Sequence, residues 1–170
     1  MDELNRKILN ILQQNGRITM TELSKTISLS VPALTERVKK LEESKVIEGY
    51  SAKVNAEKLN KPVKAFVLMK THKCALFREF CKNSEKVIEC HRLTGEYSYL
   101  VKIITDTNRS LEEFIDQAME YGEPYTMMNL SSPVSFKPIA IDRSKIIVIG
   151  SNPLLQFWSL IIQMYLKVCN

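Results

Sequence analysis

An α+β fold in two parts is what this sequence predicts, on three observations. Residues Thr19 to Tyr50 read as two short helices meeting at a tight turn and followed by a hairpin. An amphipathic helix precedes them. Beyond a polar connector, Asn55 to Lys61, closed by Pro62, the hydrophobic periodicity runs strand, helix, strand, strand, helix, strand.

The first helix spans Glu3 to Gln14, with Leu4, Ile8, Ile11 and Leu12 on one stripe. Thr19 and Glu22 have capping-box spacing, so a second helix starts there, buries Leu23 and Ile27, and ends near Ser28. Ser30 is a good N-cap for a third, and Pro32 falls in its first turn, where a missing N–H is harmless. That helix runs to about Ser44 and packs through Leu34, Val38 and Leu41. Val46–Tyr50 and Ser51–Val54 read as the strands of a wing, with Gly49 for the reversal. Residues 1–60 are therefore expected to form a winged helix-turn-helix, an architecture that reads double-stranded DNA.

The outer face of the third helix carries Pro32, Ala33, Glu36, Lys39 and Lys40, flanked by Thr35 and Arg37. Small residues near the N-terminus with cations further along suit entry into a major groove. On this reading Ser30 meets a phosphate from the helix N-terminus, Pro32, Ala33 and Thr35 lie near base edges, and Arg37, Lys39 and Lys40 meet phosphates or guanine. The same residues also fit an ordinary solvated face, with Glu36 and Lys40 an i,i+4 pair.

In residues 61–137, strands are expected at Val63–Thr71, Lys86–Thr94, Tyr97–Thr105 and Tyr125–Phe136. The two central strands turn at Gly95-Glu96. A helix at Cys74–Asn83 buries Leu76, Phe77, Phe80 and Cys81. A second helix, opened by a Ser110/Glu113 capping box, buries Leu111, Phe114, Ile115, Ala118 and Met119. The order βαββαβ is that of a ferredoxin-like sandwich, with both helices on one sheet face. Both faces of its first strand are apolar, with Val63, Ala65, Val67 and Met69 on one and Phe66 and Leu68 on the other. Something must cover the second face, and a homodimer packed sheet to sheet would do so while presenting two recognition helices to one DNA.

Composition is compatible with two small domains: 170 residues, 45% apolar, 25% charged, net charge +5. Residues 1–60 hold 10 Lys and Arg against 8 Asp and Glu. Affinity for DNA must then come from local placement and from repeated sites in an oligomer. The first fifteen residues are amphipathic and charged throughout, unlike a secretory signal, which points to the cytoplasm and to reduced thiols at Cys74, Cys81, Cys90 and Cys169. His72 near Cys74 and Cys90 beside His91 have no metal-ligand spacing and no CxxC pair accompanies them, so neither metal nor cofactor is expected. With no phosphate loop and no nucleophile motif, nothing suggests an enzyme.

Four stretches carry a family resemblance: Leu29-Ser30, Glu36-Arg37-Val38-Lys39-Lys40-Leu41-Glu42, Ile47-Glu48-Gly49-Tyr50, and Glu89 through Leu100. Together they resemble the Lrp/AsnC feast/famine regulators of bacteria and archaea over residues 1 to about 137. The resemblance implies sequence-specific transcriptional regulation, and dimers that assemble into tetramers or an octameric ring. It also implies an amino-acid effector held between dimers, near Gly95, Glu96, Ser98, Tyr99, Leu100, Thr126 and Met128. Where the family often has Gly-Asp-x-Asp, this chain has Gly95-Glu96-Tyr97-Ser98, which removes one carboxylate partner for an amino group. The alternative makes Gly95 a hairpin residue and Tyr97 and Tyr99 packing residues.

Two other functions share this architecture. One is a DNA-packaging protein with little sequence preference. The other is a siroheme-decarboxylase-like enzyme, in which His91 or Arg92 would handle a tetrapyrrole carboxylate.

Residues 138–170 lie outside the resemblance. Lys145–Ile149 reads as an extra strand. Pro153 to Cys169 is strongly apolar but shorter than the roughly 20 residues that span a bilayer, so no membrane span is expected. At helical spacing Gln156, Ser159, Gln163 and Lys167 form one narrow polar stripe, which suits an added oligomer contact; attachment to a membrane surface and an unstructured tail are the alternatives.

Overall fold

The structure, a computed structural model, describes residues 1–141. The expected strand at Lys145–Ile149 and the apolar stretch Pro153–Cys169 lie outside the described residues. The chain divides into two compact units, one of residues Met1–Ser51 with the described residues from Phe136 onward, the other Ala52–Ser135.

In the first unit α1 (Glu3–Gln14), α2 (Met20–Ile27) and α3 (Val31–Glu43) form at the expected places. Each is capped by its own sequence. Asp2 accepts from the Asn5 N–H at 2.7 Å, Thr19 and Glu22 complete a reciprocal capping box, and Ser30 accepts from the Ala33 N–H. The left-handed Ser28 (φ 56°) closes α2 and makes the tight turn into α3. The core joins Ile8, Leu9 and Leu12 to Leu23, Ile27, Leu34, Val38 and Leu41. Leu9, absent from the expected stripe, is buried, whereas Leu4 and Ile11 are only partly so.

No wing hairpin forms among the described residues, and the reason lies at the end of α3. Lys45 adopts the left-handed conformation (φ 57°), donating its N–H to Glu42, while Val46 N–H bonds Leu41 at 2.9 Å. That is a Schellman closure, with lysine at the position usually given to glycine. Ile47 N–H also goes to Leu41, and its side chain packs on the core. The segment expected to open a hairpin thus spends its donors on the helix end. Gly49 shows no positive φ, so no reversal occurs there.

The second unit is the βαββαβ sandwich: β1 (Val63–Lys70), α4 (Cys74–Asn83), β2 (Val87–Arg92), β3 (Tyr99–Thr105), α5 (Asn108–Met119) and β4 (Glu123–Met128). The sheet order is β2-β3-β1-β4, antiparallel throughout. Ala65, Val67, Met69, Tyr99, Val101 and Ile103 face Phe77, Cys81, Leu111, Phe114 and Ala118 from the helices.

Several expectations need correction. Leu76 and Met119 are 60% and 61% exposed, because the buried arcs centre on Phe77/Cys81 and Phe114/Ala118. Ser110 and Glu113 form no capping box; α5 begins almost a turn earlier, with Thr107 accepting from the Ser110 N–H at 3.1 Å. β4 stops at Met128, not Phe136: after Asn129 N–H bonds Lys64, strand β1 offers no further partner, and Pro133 has no N–H to give.

At one end of this sheet Thr71, almost fully buried, is a junction. Its backbone exchanges two hydrogen bonds with the Ser98 hydroxyl, its own hydroxyl donates to the Tyr121 carbonyl, and that same oxygen accepts from the Lys73 N–H. The opposite sheet face is open. Phe66 and Leu68 lie there beside Leu100 of β3 and Tyr125 and Met127 of β4, with Lys102, Glu89 and His91 along one margin.

Candidate nucleic-acid interface

On α3 the buried stripe Leu34, Val38 and Leu41 turns the remaining side chains outward. Ser30, Pro32, Ala33, Thr35, Glu36, Lys39 and Lys40 are all exposed. The small residues cluster in the first turn and a half, where backbone N–H groups and the positive end of the helix dipole reinforce one another. Ser30 Oγ is the N-cap acceptor at 3.4 Å, and Thr35 Oγ1 donates back to the Val31 carbonyl at 2.8 Å. Lys39 and Lys40 make exposed pairs with Glu43 (3.6 Å) and Glu36 (3.4 Å). Such pairs are weak and easily exchanged for phosphates.

Arg37 stands apart. It is only half-exposed, and its Nη1 donates to Asp2 Oδ2 at 2.5 Å and to Asn5 Oδ1 at 3.0 Å. The guanidinium therefore bolts α3 to the start of α1. The Asn5 N–H and then Arg37 hold the Asp2 carboxyl below the usual carboxylate range. Sequence reading grouped Arg37 with the phosphate-binding lysines and passed over Asp2 and Asn5. Their spacing from the helix start was the only signal available. Tyr50 is a second omission: its hydroxyl donates to Glu42 at 3.0 Å, and burial together with that carboxylate pushes its pKa up to about 12.

The residues that the resemblance places at an effector site divide over the second unit. Gly95 (φ 105°) and Glu96 form the exposed turn between β2 and β3, with Glu96 4.0 Å from Lys70 Nζ. Ser98 is tied to Thr71, and its N–H bonds the Met69 carbonyl at 2.7 Å. Tyr99 is 1% exposed in the core, its hydroxyl donating to the Cys74 carbonyl and accepting from Arg92 at 2.7 Å. The Arg92 guanidinium sits 4.9 Å from the Tyr99 ring centre and holds the Cys74 thiol below its usual range. Thr126 and Met128, paired with Val67 and Ala65, share the helix-facing side with Tyr99. Leu100 points to the open face. His91 lies on that open face, 3.3 Å from Glu89, and Arg92 on the other. Among the described residues no cluster of His, Cys, Asp or Glu could hold a metal ion, and no helix is long and apolar enough to cross a membrane.

Comparison with known proteins matches both units. Residues 1–48 fit the winged helix-turn-helix DNA-binding family, and residues 64–139 fit the Lrp/AsnC ligand binding domain. The chain is 48% identical over 132 residues to the HTH-type transcriptional regulator YezC of Bacillus subtilis, covering 78% of this chain and 95% of that one. It is 38% identical over 119 residues to the HTH-type transcriptional regulator FL11 of Pyrococcus abyssi, covering 68% and 78%. Among solved structures, LrpC of Bacillus subtilis superposes with a TM-score of 0.76 at 28% identity, over 80% of this chain and 99% of that one. The regulator NMB0573 of Neisseria meningitidis, solved as its L-Met complex, gives 0.76 at 25% identity, over 84% and 97%. With a helix-turn-helix that presents an open helix face and a ferredoxin-like unit of the ligand-binding type, this chain belongs to the Lrp/AsnC family of DNA-binding transcriptional regulators.

Proposed function

We propose that the protein is a cytoplasmic homo-oligomer that binds a short inverted repeat in DNA through α3 and adjusts that binding to an amino acid or a related small molecule. One observation carries the reading: α3 leaves Pro32, Ala33 and Thr35 open at its capped N-terminus, with Lys39 and Lys40 flanking them on a rigid three-helix core. Pro32, Ala33 and Thr35 approach base edges, and Ser30, Lys39 and Lys40 meet phosphates. Arg37 is withdrawn from that list, because its guanidinium is engaged with α1.

The open sheet face supports the dimer. Phe66, Leu68, Leu100, Tyr125 and Met127 make a continuous apolar surface that a second copy would bury. Further assembly into tetramers or octamers would bring the Gly95–Ser98 turn of one dimer against another. The relative solved with L-Met supports an amino acid as effector, held near Gly95, Glu96, Ser98, Leu100, Thr126 and Met128. Tyr99 belongs to that end as the buried post behind it rather than as a contact. The protein binds and releases; it does not turn over a substrate.

The test is retention of fragmented genomic DNA at about 150 mM salt, sequenced with and without the protein amino acids. Enrichment of one inverted repeat, altered by one amino acid, is the expected result. Uniform retention indifferent to amino acids would favour DNA packaging and refute the proposal.

A further inference from the structure

Cys81 and Cys90 stand as a pair between α4 and β2. On β2, Cys90 is paired with Val101, which is fully buried under the helices, so Cys90 lies on the helix-facing side while its neighbours Glu89 and His91 take the open side. Helix α4 packs on β2, and its Cys81 is 4% exposed within the core. Burial first, and then the Cys90 thiol beside it, push the Cys81 thiol up to about 12. Cys90 itself is exposed, and both cysteines are free. A buried thiol next to an open one gives an oxidant access to the pair from one side only. Among the described residues no third His, Cys, Asp or Glu joins them to hold a metal ion, which leaves the chemistry of two thiols. Cys74 is not a rival: it lies two turns earlier on α4, about 10 Å along the axis, and donates to the Thr71 carbonyl at 3.7 Å.

We propose that Cys81 and Cys90 are an oxidation site, at which a peroxide converts the two thiols into a disulfide that ties β2 to α4. The exposed Cys90 sulfur attacks one oxygen of hydrogen peroxide and the O–O bond breaks. The thiol proton goes to the departing oxygen, which leaves as water, and Cys90 becomes a sulfenic acid. The Cys81 sulfur then attacks the Cys90 sulfur, the S–O bond breaks, and the hydroxyl leaves with the Cys81 proton as a second water. The two thiols together give up two electrons to one peroxide. A disulfide needs the two Cβ atoms about 4 Å apart. Strand β2 can make that approach, because it is an edge strand bonded only to β3 and is already bulged between Val87 and Glu89. Cys81 is the slower partner, since a thiol held this high is seldom a thiolate, and the sulfenic acid at Cys90 therefore lives long enough to be trapped.

Trypsin separates the cysteines, since cuts after Lys73, Arg78, Lys82, Lys86 and Arg92 put Cys74, Cys81 and Cys90 on different peptides. The full-length protein, reduced and then treated with hydrogen peroxide, should lose two hydrogens per chain and yield residues 79–82 joined to residues 87–92. Dithiothreitol should part them again. Cys90→Ser should abolish the joined peptide. Cys81→Ala should abolish it too, and dimedone should then label Cys90 at least about fivefold more than in the unaltered chain. Cys74→Ser, the control, should leave the pairing unchanged. Three results overturn the proposal. One is Cys90 joined to Cys74 or Cys169 instead. Another is a joined peptide formed between isotopically labelled and unlabelled copies, which would place the bond between chains. The third is oxidation of Cys90 straight to the sulfinic acid with no joined peptide.

Discussion

Lys40 and Arg37 lie three residues apart on one helix, yet their surroundings predict opposite behaviour on DNA. The Lys40 ammonium is 70% exposed and held only by Glu36 at 3.4 Å, so little is lost when it turns to a phosphate. Each phosphate contact adds about 0.9 to the slope of log K against log salt, and at 0.15 M salt that is about a fivefold gain in affinity. A dimer presents the contact twice. Lys40→Ala should therefore lower the slope by about 1.8 and weaken binding about 30-fold, alike for every duplex. The Arg37 guanidinium is committed to Asp2 and Asn5, so Arg37→Ala should leave the slope unchanged while lowering the thermal midpoint. Titration of one operator duplex and one unrelated duplex by fluorescence anisotropy at several salt concentrations gives the slopes, and a melting curve gives the midpoint. An unchanged slope for Lys40→Ala, or a slope for Arg37→Ala that falls as far as Lys40 is expected to make it fall, would refute the orientation assigned to α3.

Thr35→Ala should change base preference at one position of the half-site, by about 1–3 kcal/mol, without altering the salt slope; selection from a randomised duplex library reads this out. Lys45→Gly should stabilise the first unit by about 1 kcal/mol, because glycine takes the left-handed Schellman position without penalty, and a higher urea midpoint at constant slope would show it. Gly122→Ala should destabilise the second unit by about 2–3 kcal/mol, since the new methyl would stand 2.2 Å from the Lys70 carbonyl and 2.9 Å from Thr71 Cβ. The Asp106 carboxyl is held below its ordinary range by the Thr105 hydroxyl first and by Ser110 and the Thr107 N–H as well. Its contribution is thus complete above pH of about 4 and is lost as pH falls through the lowered value. Asp106→Asn should flatten that acid limb in a series of urea midpoints.

What could be read from sequence was the chemistry of near neighbours. Thr19 and Glu22, or Ser30 and Pro32, announce a helix start because cap and partner lie three residues apart. Apolar period alone gave the order of strands and helices. The failures share a cause, which is competition between equivalent local signals or a partner distant in the chain. Thr107 and Ser110 are both good N-caps, and in the structure Thr107 takes the cap while the Ser110 hydroxyl accepts from Thr105. Lys45 carries no sign that it will adopt a glycine conformation, so the segment after α3 looked like a strand. Arg37 looked free because Asp2 and Asn5 stand more than thirty residues away. Tyr99 resembled a ligand contact on the family pattern, and only the packing of Phe77, 5.3 Å away, shows it to be core.

The junction at Thr71 has a kinetic consequence. One residue there joins the end of β1, the start of α4, the approach to β3 and the turn after α5, and its hydroxyl both gives and receives a bond. No one of these four segments can fray without breaking bonds made by another, so the backbone amides of Thr71, Lys73 and Ser98 should exchange their hydrogens with solvent on one shared clock. A molecule that settles on the neighbouring Gly95 turn would meet a platform already set, and its arrival would slow that clock at all three amides together.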